Sequence, residues 1–208
     1  MVYGFIESPM NRNTIFCFTA LISLSAIVSC SSSSSYNGAP TTDPAVLALP
    51  SNGTELTYRY DTFDTAGPLQ LNEHVTIRSA SSTFQATRVS DTIRGRYTST
   101  IDSFGILPNG DLYLTCGCDT FPAWTHHAYG TNTYISQETI PIGSDLFECA
   151  VIRSAKMAVV EDSTGNTDTA TIETKYWYAP KIRYFVKEKS SLRGTSPVIY
   201  TRTLLSTH

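Results

Sequence analysis

Hydrophobic and polar residues alternate along most of this chain from about residue 55 onward. The alternation is clear in four runs, Leu56–Tyr60, Val75–Arg78, Phe84–Val89 and Ile93–Tyr97, where apolar side chains recur at every second position. Such a pattern is typical of a β-strand with one buried face. Alanine, leucine and glutamate are too sparse for a sustained helical stripe, so the sequence predicts an all-β domain.

Turn signals separate further strands in the second half of the chain. Asn109-Gly110-Asp111 precedes Leu112–Leu114 and is a hairpin signal, because Asn and Gly tolerate positive φ. Asp162–Asn166 is a second hairpin signal between two long segments. The other predicted strands are Phe147–Val160, Thr169–Tyr178, Ile182–Lys187 and Val198–Leu205. The total is roughly ten strands, with no internal repeat.

The N-terminus has a different pattern. An apolar run from Ile15 to Val28 follows Arg12 and ends in Ser29-Cys30. This run is shorter than the ~20 residues that span a bilayer and has the length of a secretory signal. Its end resembles the lipobox of bacterial lipoproteins. The resemblance implies that residues 1–29 are a signal peptide and that Cys30 becomes an N-terminus carrying diacylglycerol and palmitate; an ordinary secretion signal is the alternative.

Two details refine this expectation. A start at Met10 rather than Met1 gives a short, purely basic segment before the apolar run, so we expect Met10 to be the true start. The residue after the cysteine is Ser31 rather than an acidic residue, and this resembles lipoproteins that are routed to the outer membrane. We therefore expect a lipid-anchored protein of the bacterial cell envelope, on the outer membrane and facing the periplasm or the surface.

Residues 30–48 are rich in Ser, Pro and Thr and lack an apolar period, which predicts a flexible tether. A tether of about twenty residues holds a domain ~25 Å from its anchor on an r.m.s. basis. The single β domain is expected to span residues 49–208. The apolar side chains of Val46, Leu47 and Leu49 could nonetheless dock on that domain.

The formal net charge of −3 argues against a nucleic-acid partner, which would require a basic patch. Basic residues do recur near the C-terminus, but Glu173 and Glu188 are interleaved with them. This interleaving predicts a solvated strand face. The basic residues concerned are Lys175, Lys181, Arg183, Lys187, Lys189 and Arg193.

The second half of the chain carries another resemblance. The segment Glu138–Cys149 resembles a "valine-proline-x-glycine-x-phenylalanine" lead into a long strand, and Tyr176–Lys187 resembles its "W-Y-A-P-x-V-G-x-V-K" partner. Together they resemble envelope domains of the outer-membrane lipoprotein-sorting type, including a related family of unknown function. The resemblance implies a strongly curved antiparallel sheet, a half-barrel, whose concave face holds a lipophilic ligand. Arg183 departs from the pattern where glycine is usual, and Ser144–Leu146 is longer than its counterpart.

Aromatic residues are concentrated in this region, where Pro180 is expected to end one strand and begin a tight connection. Their alternation places some on each face of the sheet. Packing in the core and lining of a ligand site are both open interpretations, with core favoured. The residues are Tyr176, Trp177, Tyr178, Tyr184 and Phe185.

Three cysteines remain beyond the signal and the lipidation site: Cys116, Cys118 and Cys149. In an oxidising compartment this odd number predicts one disulfide and one leftover thiol, or no disulfide. We expect Cys149 to pair with Cys116 or Cys118. A metal site that adds His126 and His127 to these cysteines is the less favoured alternative, because Cys-x-Cys followed by His-His matches no zinc template well.

No enzyme signature is found. The chain lacks a G-x-S-x-G elbow, an H-E-x-x-H helix and a phosphate-binding glycine loop, and carboxylates such as Asp61, Asp64 and Asp102 appear scattered in turn-like contexts. We therefore expect a non-enzymatic protein without a cofactor or a metal. Its expected role is to bind or help transport a lipophilic ligand, and the alternative is a structural module that docks another envelope protein.

Overall fold

A computed structural model describes residues 41–64, 67–93, 96–117, 119–126, 128–161, 167–193 and 198–208. The expected signal peptide, the expected lipidation site Cys30 and the first part of the expected tether lie outside the described residues, as does the expected turn Asp162–Asn166. Among the described residues, no helix is long and apolar enough to cross a membrane.

In the part of the chain that the structure describes, twelve antiparallel strands form a single sheet, which confirms the all-β prediction. Two of the strands that the sequence did not indicate, β6 and β7, are only two residues long. The elements are α1 Pro44–Leu47, β1 Glu55–Asp64, β2 Gly67–Ala80, β3 Thr83–Ile93, β4 Arg96–Ile106, β5 Leu112–Leu114, β6 Thr120–Phe121, β7 Ala128–Tyr129, β8 Asn132–Ile142, β9 Asp145–Glu161, β10 Thr167–Ala179, β11 Tyr184–Leu192 and β12 Val198–Thr207.

The sheet curls into a nearly closed barrel. The strand order is β6-β5-β4-β3-β2-β1-β12-β11-β10-β9-β8-β7, so the first and last long strands meet at its centre. The two edges approach each other where the Asn132 side chain of β8 donates to the Thr120 carbonyl of β6, at 2.8 Å. The curvature implied by the family resemblance is therefore present and goes further than a half-barrel.

The period-two pattern explains which side chains fill the interior. Leu56 and Tyr58 of β1, Val75 and Ile77 of β2, and Phe84 of β3 are almost fully buried at alternate positions. Side chains between them point outward, as Arg59 does, because successive residues of a strand face opposite sides of a sheet. The barrel interior is thus the hydrophobic core, and it extends across β9, β10 and β11.

One end of the barrel, which we call the closed end, is covered by residues 41–50. The Thr41 amide donates to the Pro108 carbonyl at 2.7 Å, and the Ser79 hydroxyl donates to the Pro50 carbonyl at 2.6 Å. A side chain at Gly110 would overlap Val46, so the glycine allows the segment to approach the β4–β5 turn. The second half of the expected tether therefore lies on the domain, as the apolar residues around Val46 suggested.

The structure shows what Arg183 contributes at the position where the resembled pattern has glycine. Its φ of +58° is in the left-handed region that glycine adopts most readily. The guanidinium donates to the carbonyl of Ala45, the second residue of α1, and lies 5.1 Å from the centroid of the Trp124 ring. The strained backbone is therefore offset by a contact that holds residues 41–50 in place. As expected, β10 ends at Ala179, directly before Pro180.

Candidate ligand site in the barrel interior

The five singled-out aromatic residues lie mainly in the core. Trp177, Tyr178, Tyr184 and Phe185 are buried, and Tyr176 is partly buried against them. Phe185 is the centre of this group, with ring centroids 5.3 Å from Tyr176 and 5.5 Å from Tyr184. The Trp177 indole donates to the Glu138 carboxylate at 2.8 Å. These positions agree with the favoured interpretation, in which the rings pack in the core.

A charged group lies among these rings. Arg202 of β12 is 1 % exposed and donates through Nε to Glu73 of β2 at 2.6 Å and through Nη1 to Glu188 of β11 at 2.7 Å. Its guanidinium lies 3.7 Å from the ring centroid of Tyr58 and 5.8 Å from that of Tyr184. Burial alone would lower the pKa of Arg202, but Glu188 and the other anionic neighbours raise it well above its usual value. The arginine is therefore held charged inside the barrel.

A second ion pair adjoins the first. Arg88 of β3 donates through Nη2 to Asp102 of β4, and both side chains are about a quarter exposed, at 27 % and 28 %. Burial lowers the pKa of Arg88, yet nearby groups that include Glu188 and Asp102 raise it above its usual range, while Arg202 acts in the opposite direction. The two pairs therefore form one electrostatic unit. We call Glu73, Arg88, Asp102, Glu188 and Arg202 the interior cluster.

Beyond the interior cluster, away from the closed end, the inner face becomes partly exposed. Tyr60 and Tyr200 stack with ring centroids 5.4 Å apart, and Tyr60 pairs across the strands with Leu71. Ile172 pairs with Leu192 on the other side. All five side chains are of intermediate exposure, and we call them the far wall. Burial raises the pKa of the Tyr200 hydroxyl well above its ordinary value, so it stays protonated.

The closed end contains a different polar group. The buried Asp111 carboxylate accepts from the Trp124 amide at 2.8 Å, from the Thr125 amide at 3.0 Å, and from the Tyr129 hydroxyl at 2.8 Å. The Asn109 side chain donates to the same carboxylate at 2.9 Å. This network, which we call the Asp111 network, fixes the β4–β5 turn to the chain before β7. The expected hairpin at Asn109–Asp111 is present, since β4 and β5 pair.

The cysteines pair differently from our expectation. Cys149 is free and buried, and its thiol donates to the Phe147 carbonyl at 3.3 Å. Burial, with a smaller contribution from Glu138, raises the pKa of this thiol to about 12. Cys116 is disulfide-bonded, and Cys118 lies outside the described residues. The predicted disulfide of Cys149 was wrong because Cys149, on β9, faces the hydrophobic core. Its alternation with Phe147 and Val151, which are also buried, already indicated this.

The other sequence candidates are dispersed. His126 stacks on Tyr134 with ring centroids 4.0 Å apart, His127 is not described, and the described part of the chain contains no cluster of potential metal ligands. Asp61 and Asp102 lie within strands rather than turns: Asp61 pairs with Arg59 on the surface, and Asp102 belongs to the interior cluster. Asp64 ends β1.

Glu188 contradicts the prediction of a solvated strand face. It is 6 % exposed and lies inside the barrel, whereas Lys187 and Lys189 beside it are more exposed. The prediction treated the charges as one group, although their positions alternate between the two faces of β11. Glu73, Arg88 and Arg202 were not identified at all. Each of these residues lies an even number of positions from a buried apolar residue of its own strand, as Arg202 does from Leu204, so each faces the interior. This alternation was the signal in the sequence that could have identified them.

A shallow depression of about 300 Å³ lies at the closed end, between residues 49–51 and the β10–β11 connection. Lys181, Arg183 and His208 contribute to its lining. It is a surface feature formed where residues 41–50 cross the end of the barrel.

The fold is similar to that of two solved bacterial proteins. A candidate lipoprotein from Parabacteroides distasonis has a TM-score of 0.56 at 13 % identity, over 78 % of this chain and 98 % of that chain. A candidate exported protein with a YmcC-like fold, from Bacteroides fragilis, has a TM-score of 0.55 at 11 % identity, with the same coverage. No family model and no curated protein matches the sequence. At these identities the similarity establishes the fold.

Proposed function

We propose that this chain is a non-enzymatic lipoprotein of the bacterial cell envelope that binds a lipophilic ligand inside its barrel. The observation that carries the proposal is the change of polarity along the inner face. The interior cluster around Arg202 forms a charged floor, and the partly exposed far wall, with Tyr60, Leu71 and Tyr200, lies beyond it. Apolar sites with a few convergent polar groups are typical of small-molecule binding.

The proposed location has two supports. The structural neighbours are described as a candidate lipoprotein and a candidate exported protein, which favours the envelope. The lipobox-like sequence that ends at Cys30 supplies an acyl anchor, and Ser31 after it favours the outer membrane. More than one acyl chain would be required for stable anchoring, and lipoproteins carry them on this cysteine.

The alternative, a module that docks another envelope protein, would require a continuous apolar surface. The large exposed hydrophobic residues of the strands are Ile101 on β4, Ile135 on β8, Leu146 and Met157 on β9, and Leu205 on β12. Strands β8 and β9 are neighbours in the sheet, but neither is a neighbour of β4 or β12. Within the described ranges these residues are therefore spread over separate parts of the sheet and do not form one patch, so a ligand inside the barrel is the better-supported function.

Expression of the full chain and of Cys30→Ser in a bacterium, followed by fractionation and native mass spectrometry, tests both parts. We expect Cys30→Ser to move to the soluble envelope fraction, and an apolar small molecule to co-purify with both proteins. Tyr200→Ala should lose this molecule, whereas Met157→Ala, on the outer surface, should retain it. Membrane association of Cys30→Ser would contradict the anchor, and a ligand-free barrel or equal retention in both alanine variants would contradict the binding site.

A further inference from the structure

The interior cluster has hydrogen-bond donors without acceptors. Arg202 uses Nε and Nη1 for its two glutamates, but its Nη2 is buried and has no partner among the described residues. Arg88 uses Nη2 for Asp102, and its buried Nε is likewise unpaired within the described chain. Buried polar atoms are nearly always hydrogen-bonded in folded proteins, because an unsatisfied donor is destabilising. Two such atoms in one cluster indicate that an acceptor is missing.

The charges of the cluster limit what that acceptor can be. Glu73, Asp102 and Glu188 are three carboxylates, and Arg88 and Arg202 are two guanidiniums. The described cluster therefore already has an excess of negative charge. A carboxylate or phosphate entering this interior would add a second uncompensated negative charge, and burying such a charge is costly. A neutral oxygen accepts the same hydrogen bonds without that penalty.

Hydroxyl groups lie close to the cluster. Thr174 and Ser190 are buried and hydrogen-bonded to each other at 3.1 Å, and Ser190 pairs across the strands with Tyr200. Hydroxyls both donate and accept, so they complement a ligand that carries hydroxyl groups of its own. Beyond them, the far wall offers the rings of Tyr60 and Tyr200 to an apolar body.

We propose that the barrel selects amphiphiles with an uncharged, hydroxyl- or carbonyl-bearing head group. The head accepts hydrogen bonds from Arg202 Nη2 and Arg88 Nε, and the apolar body lies along the far wall. This inference rests on the proposed function and adds the chemical class of the ligand. It places the polar end of the ligand in the interior and the apolar end toward the far wall.

The test compares two ligands with the same ten-carbon acyl chain, neutral monodecanoylglycerol and anionic decanoate. Each is titrated calorimetrically into the purified full chain at neutral pH, in one non-ionic detergent background. We expect monodecanoylglycerol to bind about tenfold more tightly or better, since a hydrogen bond to a charged donor and an avoided charge burial each contribute at this scale.

Two variants separate the donors from the charge. Arg88→Lys keeps the positive charge beside Asp102 but removes Nε, so it should weaken monodecanoylglycerol binding about tenfold. The matched control is Arg59→Lys, an exposed arginine that also pairs with an aspartate, and it should leave binding unchanged. Glu188→Gln removes one negative charge and should reduce the preference for the neutral ligand by favouring decanoate.

The outcomes distinguish the inference from the function on which it rests. If neither ligand binds the wild-type chain, the proposed function fails together with the inference. If decanoate binds as tightly as monodecanoylglycerol or more tightly, the lipophilic site stands and the neutral head group is wrong. If Arg88→Lys and Arg59→Lys behave alike, or Glu188→Gln leaves the preference unaltered, the interior cluster does not recognise the head.

Discussion

The Asp111 network and the interior cluster are both buried and polar, but only one of them is complete. Asp111 has at least four donors on its carboxylate, all from residues 109–129. Arg202 takes its partners from β2 and β11, and its Nη2 remains without one in the described structure. A network whose donors and acceptors match serves stability. A cluster with donors left over is one that the proposed ligand would complete.

Removal of the Asp111 carboxylate should give the largest effect on stability. Asp111→Ala leaves the Trp124 and Thr125 amides without an acceptor, and each orphaned amide costs about 1–3 kcal/mol. We expect the free energy of unfolding, measured with urea, to fall by about 3 kcal/mol or more. Asp145→Ala, which breaks an exposed ion pair with Lys181, is the control and should change it by less than about 1 kcal/mol. Equal effects would show that the network is not structural.

Cys149 extends the comparison to a buried group with one weak hydrogen bond. Its thiol has a pKa raised to about 12 in the folded protein, against about 8.5 when unfolded. The stability from the neutral thiol is therefore complete below about pH 8.5 and is lost as the pH rises toward 12. Relative to Cys149→Ala, the wild type should lose roughly 1–2 kcal/mol between neutral pH and about pH 10.

Parallel urea titrations of the two proteins across this pH range measure the difference. A difference that does not change with pH would mean that Cys149 is not held in an apolar environment.

The smallest effect on global stability is expected for a substitution of Arg183, at the closed end. Arg183→Gly removes the contacts to Ala45 and Val46 but relieves a positive φ, so the global stability should change by less than about 1 kcal/mol. The local effect should be larger. In hydrogen-exchange mass spectrometry, the amides of Val46 and Leu47, both bonded to the Asp43 carbonyl, should exchange several-fold faster.

Ser81→Gly is the matched control, because Ser81 also has a positive φ, of +54°, but lies in the β2–β3 turn. This variant should leave exchange in residues 41–50 unaltered. If Arg183→Gly does the same, the guanidinium does not hold the segment.

Much of the fold was predictable because strand periodicity is local. The alternation of Leu56, Tyr58 and Tyr60 is visible in the sequence alone, and so is the stop at Pro180. The short strands β6 and β7 were not predictable, since two residues show no period and form only where the barrel edges meet. Strand β8 was interpreted as a lead into β9, although Gly143, with a φ of +59°, marks a turn between two strands.

The site was less predictable because it depends on register between distant strands. Arg202 meets Glu73 only because β12 and β2 flank β1, and the two residues are 129 positions apart. The sequence could have shown that both residues face the interior, but it could not have shown that they form an ion pair with each other.

The central position of β1 and β12 has a consequence for folding. Leu56 pairs opposite Thr207, so the middle of the sheet joins the first and last strands of the domain. Closing so long a loop is entropically unfavourable and slows folding. The two halves of the meander can form local hairpins as they are synthesised, but they cannot combine into the barrel until β12 has left the ribosome. The barrel therefore stays unclosed, and its strands stay accessible to chaperones, until β12 has been translated.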